Sequence, residues 1–384
     1  MTKDVFDVLI IGSGPAGCGC ALSLYRKGLK IALIDKEDFP RDKVCGDAIP
    51  GPFFKTLDRI NPHWGQMMRE LAEKSEIRSS RAIFSNGKSF TINWKTYSYN
   101  APRFHFDDYL RQMTIAETDT KVLPSDRLKH ITDEGNYVTC TFASGQSYAA
   151  RLVIGADGAN SVVKRFIPNQ PKGDMMLAAS VRAYVSGIEG LEPSTNECFY
   201  LKNYLPGYLW IFPLADGKAN IGFGMEIKQN ANQERLNLKA LFLQILKEEP
   251  LLAARCKNME YLTPIKGFGL PMYHRDIPIS GSRILLCGDA ASLIDPLSGH
   301  GIDYAFISGH LAALQAIDCF THNNFSDSFL LKYDQAVYRS LGPDLEKSKK
   351  MAQFIGRFPF VLDWFSKLAQ NKRLLHWFVK IGRI

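Results

Sequence analysis

"VFDVLIIGSGPAG", residues 5–17, runs an apolar stretch straight into G-x-G-x-x-G at Gly12, Gly14 and Gly17. "CGCALSLYRKGLK" (18–30) follows as a helix rich in small residues, and "IALID" (31–35) as a second strand ending on Asp35. Each part has a mechanical reason. Gly12 permits the tight turn, Gly14 lets the backbone approach a pyrophosphate, and Gly17 lets helix and strand pack closely. The helix start presents free N–H groups to phosphate, and a carboxylate at position 35 falls where a ribose would sit. Strand, glycines, helix, strand and acid in that order predict a dinucleotide-binding α/β fold.

Two later blocks extend the pattern. "ARLVIGADGANSVVKR" (150–165) places Asp157 and Gly158 at a strand-to-helix turn. "SRILLCGDAASLIDPLSGHGIDYAFISGHLAA" (282–313) repeats strand, glycine turn and helix, with Gly288, Asp289, Pro296, Gly299 and Gly301. An extended cofactor lying across a sheet needs such a second anchor, with Asp289 on a polyol and the following helix start near an electron-accepting ring.

Composition narrows the class. The 384 residues allow two intimately linked domains. The N-terminus lacks a signal-peptide pattern and no stretch has the length of a membrane span, so the expected location is the cytoplasm. The eight cysteines show no framework spacing and are expected as reduced thiols, with Cys18 and Cys20 buried in the first helix rather than binding metal. The net charge of +8 comes with no nucleic-acid-binding motif, so nucleic acid is set aside.

These blocks resemble the FAD fingerprints of the para-hydroxybenzoate-hydroxylase-like flavoproteins. The resemblance implies that Gly12, Gly14, Pro15, Ala16, Gly17, Asp35 and Lys36 hold the ADP half. It puts Asp157 and Gly158 near the pyrophosphate, Gly288 and Asp289 on the ribityl chain, and Pro296, Gly299, His300, Gly301 and Ile302 against the isoalloxazine. "RFHFDDYLRQ" (103–112) is similar to the family's R-x-x-F-D-x-x-L helix, which brings Arg103 to the FAD. Within the family, "RDKVCGD" (41–47) resembles the geranylgeranyl reductase branch, and Tyr208, Trp210, Phe212 and Pro213 match its Y-x-W-x-F-P. Arg41, Lys43, Cys45 and Gly46 then lie beside the flavin ring.

The implied fold is a Rossmann-type FAD-binding domain (1–75, 103–170, 271–330) interwoven with an antiparallel-sheet substrate domain (76–102, 171–270), plus C-terminal helices (331–384). Alternation puts Tyr208, Trp210 and Phe212 on one strand face, either as a roof over an apolar substrate or as a core-facing layer. "RAIFSNGKSFTINW" (81–94) and "YLWIFPLADGKANIGFG" (208–224) read as hairpins. The implied reaction is reduction of a carbon–carbon double bond in an isoprenoid or similarly apolar chain, with Cys45, His300 or water supplying the proton. Arg41 and Lys43 would favour an anionic flavin and a reactive Cys45. His300 replaces the acidic or polar residue usual in the reductases; a plain loop histidine is the competing reading.

With no second Rossmann motif, the reductant is expected to be transiently bound NADPH or NADH, or a reduced protein donor. An FAD monooxygenase shares the fold, while a halogenase expects W-x-W-x-I-P where Tyr208 and Phe212 depart. The tail (351–384) sets Phe354, Phe358, Phe360, Trp364, Phe365, Trp377 and Phe378 among cations. This suits peripheral contact with the inner membrane surface, or a helix pair packed on the domain.

Overall fold

The computed structural model describes residues 5–170, 177–227, 237–275 and 277–368. Along the chain, β1 (Val5–Ile11) leads through α1 (Pro15–Ser23) to β2 (Ile31–Ile34). β3 (Ser79–Phe84) and β4 (Ser89–Asn93) precede α2 (Arg103–Glu117) and β5 (Ser147–Gly155). β6 (Leu177–Ser186), β7 (Thr195–Tyr200), β8 (Tyr208–Pro213) and β9 (Ala219–Ile227) come next, then α3 (Leu238–Glu248). The chain closes with β10 (Lys266–Pro271), β11 (Ile284–Leu286), α4 (Ile302–His322), α5 (Gly342–Arg357) and α6 (Phe360–Leu368).

One sheet has the parallel core β11-β5-β1-β2. Its strands are almost wholly buried, as parallel strands covered on both faces must be. α1 can lie this deep because its small residues admit a neighbour. A Cβ on Gly309 would stand 2.1 Å from the Ala16 carbonyl oxygen, so α4 and α1 meet nearly backbone to backbone. Cys18 and Cys20 are fully buried on α1, and all eight cysteines are free.

The second sheet runs β6-β9-β8-β7-β3-β4, with β10 also pairing with β6. The hairpin at Asn86-Gly87 forms β3 and β4, and the turn at Asp216-Gly217 joins β8 to β9. The expected antiparallel sheet needs one correction: β7 pairs with β3 in parallel. These strands come from separate stretches of chain, so no hairpin constrains their direction. A second difference follows Asp157, where the expected helix is a short 3-10 turn, Val163–Phe166.

Leu209 and Ile211 on β8 face a core shared with Phe223 and Phe242, the latter from α3. The opposite face of β8 carries the aromatic rings. The C-terminal expectations at Trp377 and Phe378 lie outside the described residues. α6 rests on the hairpin tip: Phe365 meets Phe90 edge-on, and the Asn86 amide donates to Ser366 Oγ at 2.8 Å. No helix among the described residues is long and apolar enough to cross a membrane.

Candidate active site

The loops at the carboxyl ends of β1, β2, β5 and β11 converge, as ligand-binding loops do in open α/β sheets. Gly12 (φ 108°) has no room for a side chain, since its Cβ would stand 2.2 Å from the Ala156 carbonyl oxygen. Gly17 is as tight, with its Cβ position 1.8 Å from the Gly12 oxygen. α1 starts after extended Gly14 with no side chain capping its N–H groups. Asp35 accepts from Ser13 N at 2.7 Å and Glu37 N at 3.0 Å, while Lys36 is exposed. Ser13 Oγ is buried without a hydrogen-bond partner among the described residues.

The 41–47 loop folds over this turn. The Arg103 guanidinium forms a bidentate pair with Asp107 at 2.6 and 2.7 Å, both side chains buried, one helical turn apart on α2. Arg41 adds a second guanidinium to Asp107 at 3.0 Å and reaches over Gly14. Burial opposes ionisation of Asp107, but Arg103 and Arg41 hold its carboxyl below the usual range. Lys43 pairs with Asp289 at 2.7 Å, joining this loop to the 288–291 turn. The two cations expected beside Cys45 are thus each paired with a carboxylate, and Arg103 also carries an electrostatic interaction with Cys45.

Beyond this loop opens a cavity of about 1060 Å³ including its mouth. Pro15, Lys43, Cys45, Gly46, Arg103 and Asp289 line it together with the aromatic face of Tyr208, Trp210 and Phe212; Leu270 extends that sheet face, and Met272, Ile294 and Leu297 add further apolar lining. Pro296, Gly299, Gly301 and Ile302 complete the lining beside α4. Pro213 ends β8, and its carbonyl accepts from the Asn100 amide at 2.9 Å. The aromatic face depends on β9 glycines that sequence reading missed. Trp210 lies opposite Gly222, where a Cβ would meet the indole at 2.1 Å, and Tyr208 lies opposite Gly224. The signal was present: "NIGFG" places small residues at the same period of two as the aromatics.

Two predicted residues do not line this cavity. His300 is not among the lining residues; its ring stacks on Tyr304 at 4.9 Å and contacts Ser298 Oγ and Asp303. Burial alone would lower its pKa, but Asp303 and Asp295 push it up to about 9. Asp157 turns back on its own loop, accepting from Ser161 Oγ at 2.6 Å and Val162 N at 2.7 Å. It therefore shapes the turn beside Gly12 while Gly158 (φ 79°) leaves open space.

A side-chain-free turn at a helix start, the unpartnered Ser13 hydroxyl, and acids at the ends of β2 and β11 fit a dinucleotide whose far end reaches the cavity. Residues 5–336 match the FAD binding domain family, so the chain belongs to that family of flavoproteins. It is an FAD-dependent oxidoreductase with geranylgeranyl-reductase-like relatives. It is 28% identical to a menaquinone reductase of Mycolicibacterium smegmatis, over 80% of this chain and 75% of that protein. It is 29% identical to a digeranylgeranylglycerophospholipid reductase of Methanococcus aeolicus, over 91% of this chain and 87% of that one. The solved geranylgeranyl bacteriochlorophyll reductase-like protein of Thermoplasma acidophilum shares the fold (TM-score 0.85, 20% identity, 98% of this chain and 96% of that chain). A solved flavin-dependent brominase shares it as well (TM-score 0.77, 21% identity, 98% of this chain and 93% of that chain).

Proposed function

We propose that this oxidoreductase saturates carbon–carbon double bonds in an isoprenoid chain carried by a lipid-like molecule. The supporting observation is the cavity: aromatic and aliphatic side chains make up most of its lining, with Lys43, Arg103 and Asp289 among the few charged groups. When bound, reduced FAD supplies the hydride. The chain's residues orient the apolar substrate, exclude water and deliver the proton that the neighbouring carbon needs. Cys45 is the donor in this reading. It lines the cavity, and its sulfur accepts Asp47 N–H at 3.3 Å, which leaves the S–H free to donate. His300 stands outside the lining and is not assigned that role. Electrons come from transiently bound NADPH or NADH, or from a reduced protein.

A lipid substrate gives the C-terminal helices a purpose at the cytoplasmic face of a membrane. Met351, Phe354, Phe360 and Trp364 are exposed among the exposed cations Lys350, Arg357 and Lys367. The α5 helix that carries part of this surface adjoins the cavity, since a Cβ on Gly356 would lie 3.4 Å from Pro206 Cδ, and Pro206 is a lining residue. A basic, aromatic surface suits anionic lipid.

Incubating the reduced holoprotein anaerobically with geranylgeranyl lipid tests the reaction. A gain of about 2 Da per double bond, two hydrogens for each alkene, supports it. An unchanged lipid with a hydroxylated product in air contradicts it. Cosedimentation with anionic vesicles, lost in F360S/W364S, tests the surface; equal pelleting of that variant contradicts it.

A further inference from the structure

On the same face of β9 as Gly222 and Gly224, the Asn220 side chain is fully buried and uses both ends of its amide. Oδ1 accepts the Trp210 indole N–H at 2.9 Å, while Nδ2 donates to the Cys45 carbonyl at 2.7 Å and Asp47 Oδ2 at 2.8 Å. The orientation follows from these partners: a flipped amide would set oxygen against a carbonyl and a carboxylate, and N–H against N–H. Trp210 belongs to the substrate sheet and Cys45 to the loop over the glycine turn, yet both line the cavity. One side chain thus ties the two walls together.

We infer that Asn220 is a positioning residue, which couples the Cys45 loop to Trp210 and so fixes where thiol and indole stand in the cavity. The functional consequence rests on the reductase reading; the geometric coupling does not. Asparagine suits the place because a group of this size must accept once and donate twice, which an ionised aspartate cannot do. Ion pairs at Arg41 and Lys43 hold the loop on its other side, to Asp107 and Asp289, while Asn220 is the contact that ties it to Trp210. Asp47 holds a left-handed backbone (φ 66°), gives its N–H to Cys45 Sγ, and accepts Ala101 N at its carbonyl at 3.0 Å. Its Oδ1 has no hydrogen-bond partner among the described residues. The charged and titratable groups facing Asp47 are Arg182, Tyr184, Arg103 and Cys45, with Asp42 behind, bound to Arg182 and Lys266. Burial pushes Asp47 up to about 6, against the pull of Arg182, Tyr184 and Asn220.

Asn220→Asp keeps the shape and the bond from Trp210 but sets a carboxylate against the Cys45 carbonyl and Asp47. A proton shared between the two acids restores one bond, so the defect fades as pH falls. The readout is maleimide labelling of Cys45 in FAD-loaded protein, quantified by peptide mass spectrometry as the ratio of variant to parent rates. The measurement needs no substrate, and N220A, which adds no charge, separates the loss of coupling from any effect of a new carboxylate on the thiol. Losing buried hydrogen bonds predicts a ratio of about tenfold for N220D at about pH 8, falling toward parity near about pH 5.5. N220A stays elevated throughout, and Trp210→Phe, which removes only the indole donor, gives a smaller rise. Parental labelling in N220A, or an N220D ratio that ignores pH, overturns the coupling. Normal coupling with no alkene reduction would refute the reductase reading alone.

Discussion

Replacing Asp107 with asparagine should be among the most damaging single-atom changes in this protein. The carboxylate is fully buried and neutralises Arg103, whose side chain is 3% exposed, while also anchoring Arg41. The amide keeps one acceptor and no charge, so a guanidinium is left buried and uncompensated. Removing one partner of such a pair costs about 3–5 kcal/mol. With an unfolding entropy of about 2.1 cal/mol/K per residue, the 384-residue chain should lose about 4–6 °C in Tm if it unfolds in one step. Loss of the Arg41 anchor should also release FAD more readily. Calorimetry and urea titration of FAD-free and FAD-loaded protein would measure both effects. The apolar pair Arg103→Met with Asp107→Leu should recover most of the stability, because the charge is then gone too. A loss below about 1 kcal/mol for D107N alone would refute the reasoning, since it would mean that the buried guanidinium needs no partner.

Gly309→Ala should drive α4 from α1, because its Cβ would stand 2.1 Å from a carbonyl oxygen; overpacking of about 1–3 kcal/mol, read by thermal unfolding, is expected. Asp47 titrates near 6 when folded, above its ordinary 3.8. Its stabilising contribution is therefore complete below the unfolded value and lost as pH rises through about 6, by about 3 kcal/mol. Asp47→Asn should flatten that stretch of the stability-against-pH curve, and an unchanged slope would show that Asp47 does not cause it. If Cys45 is the proton donor, Cys45→Ser should cut turnover about tenfold or more at constant FAD content, whereas His300→Gln should stay within about twofold. The reverse order would return the role to His300.

Local geometry made the cofactor half legible. Gly17 is demanded by a contact five residues back and Gly12 by the strand beside β1, but both stand at the fixed spacing of the glycine motif, so spacing alone reveals them. The aromatic period at 208–212 was equally readable, as was the hairpin that carries it. The ion pairs of Arg41 with Asp107 and Lys43 with Asp289 were not, because they join residues far apart in sequence and leave no periodic trace. For the same reason their carboxylate partners were not legible beside Cys45. His300 shows the opposite failure: its place in a flavin-loop motif said nothing of where the ring points, which Tyr304 and Asp303 decide. The parallel pairing of β3 with β7 escaped notice because strand direction is set by the route of the intervening chain rather than by strand composition. Asn220 was hidden too, since a buried asparagine in a hairpin strand carries no signature until its three partners are seen.

The most direct test is to reduce the bound flavin, exclude oxygen, and mix with a geranylgeranyl lipid while recording the flavin spectrum. The account predicts return of the oxidised spectrum under nitrogen, in step with saturation of the lipid. Reoxidation that waits for air, with the lipid still fully unsaturated, would contradict it.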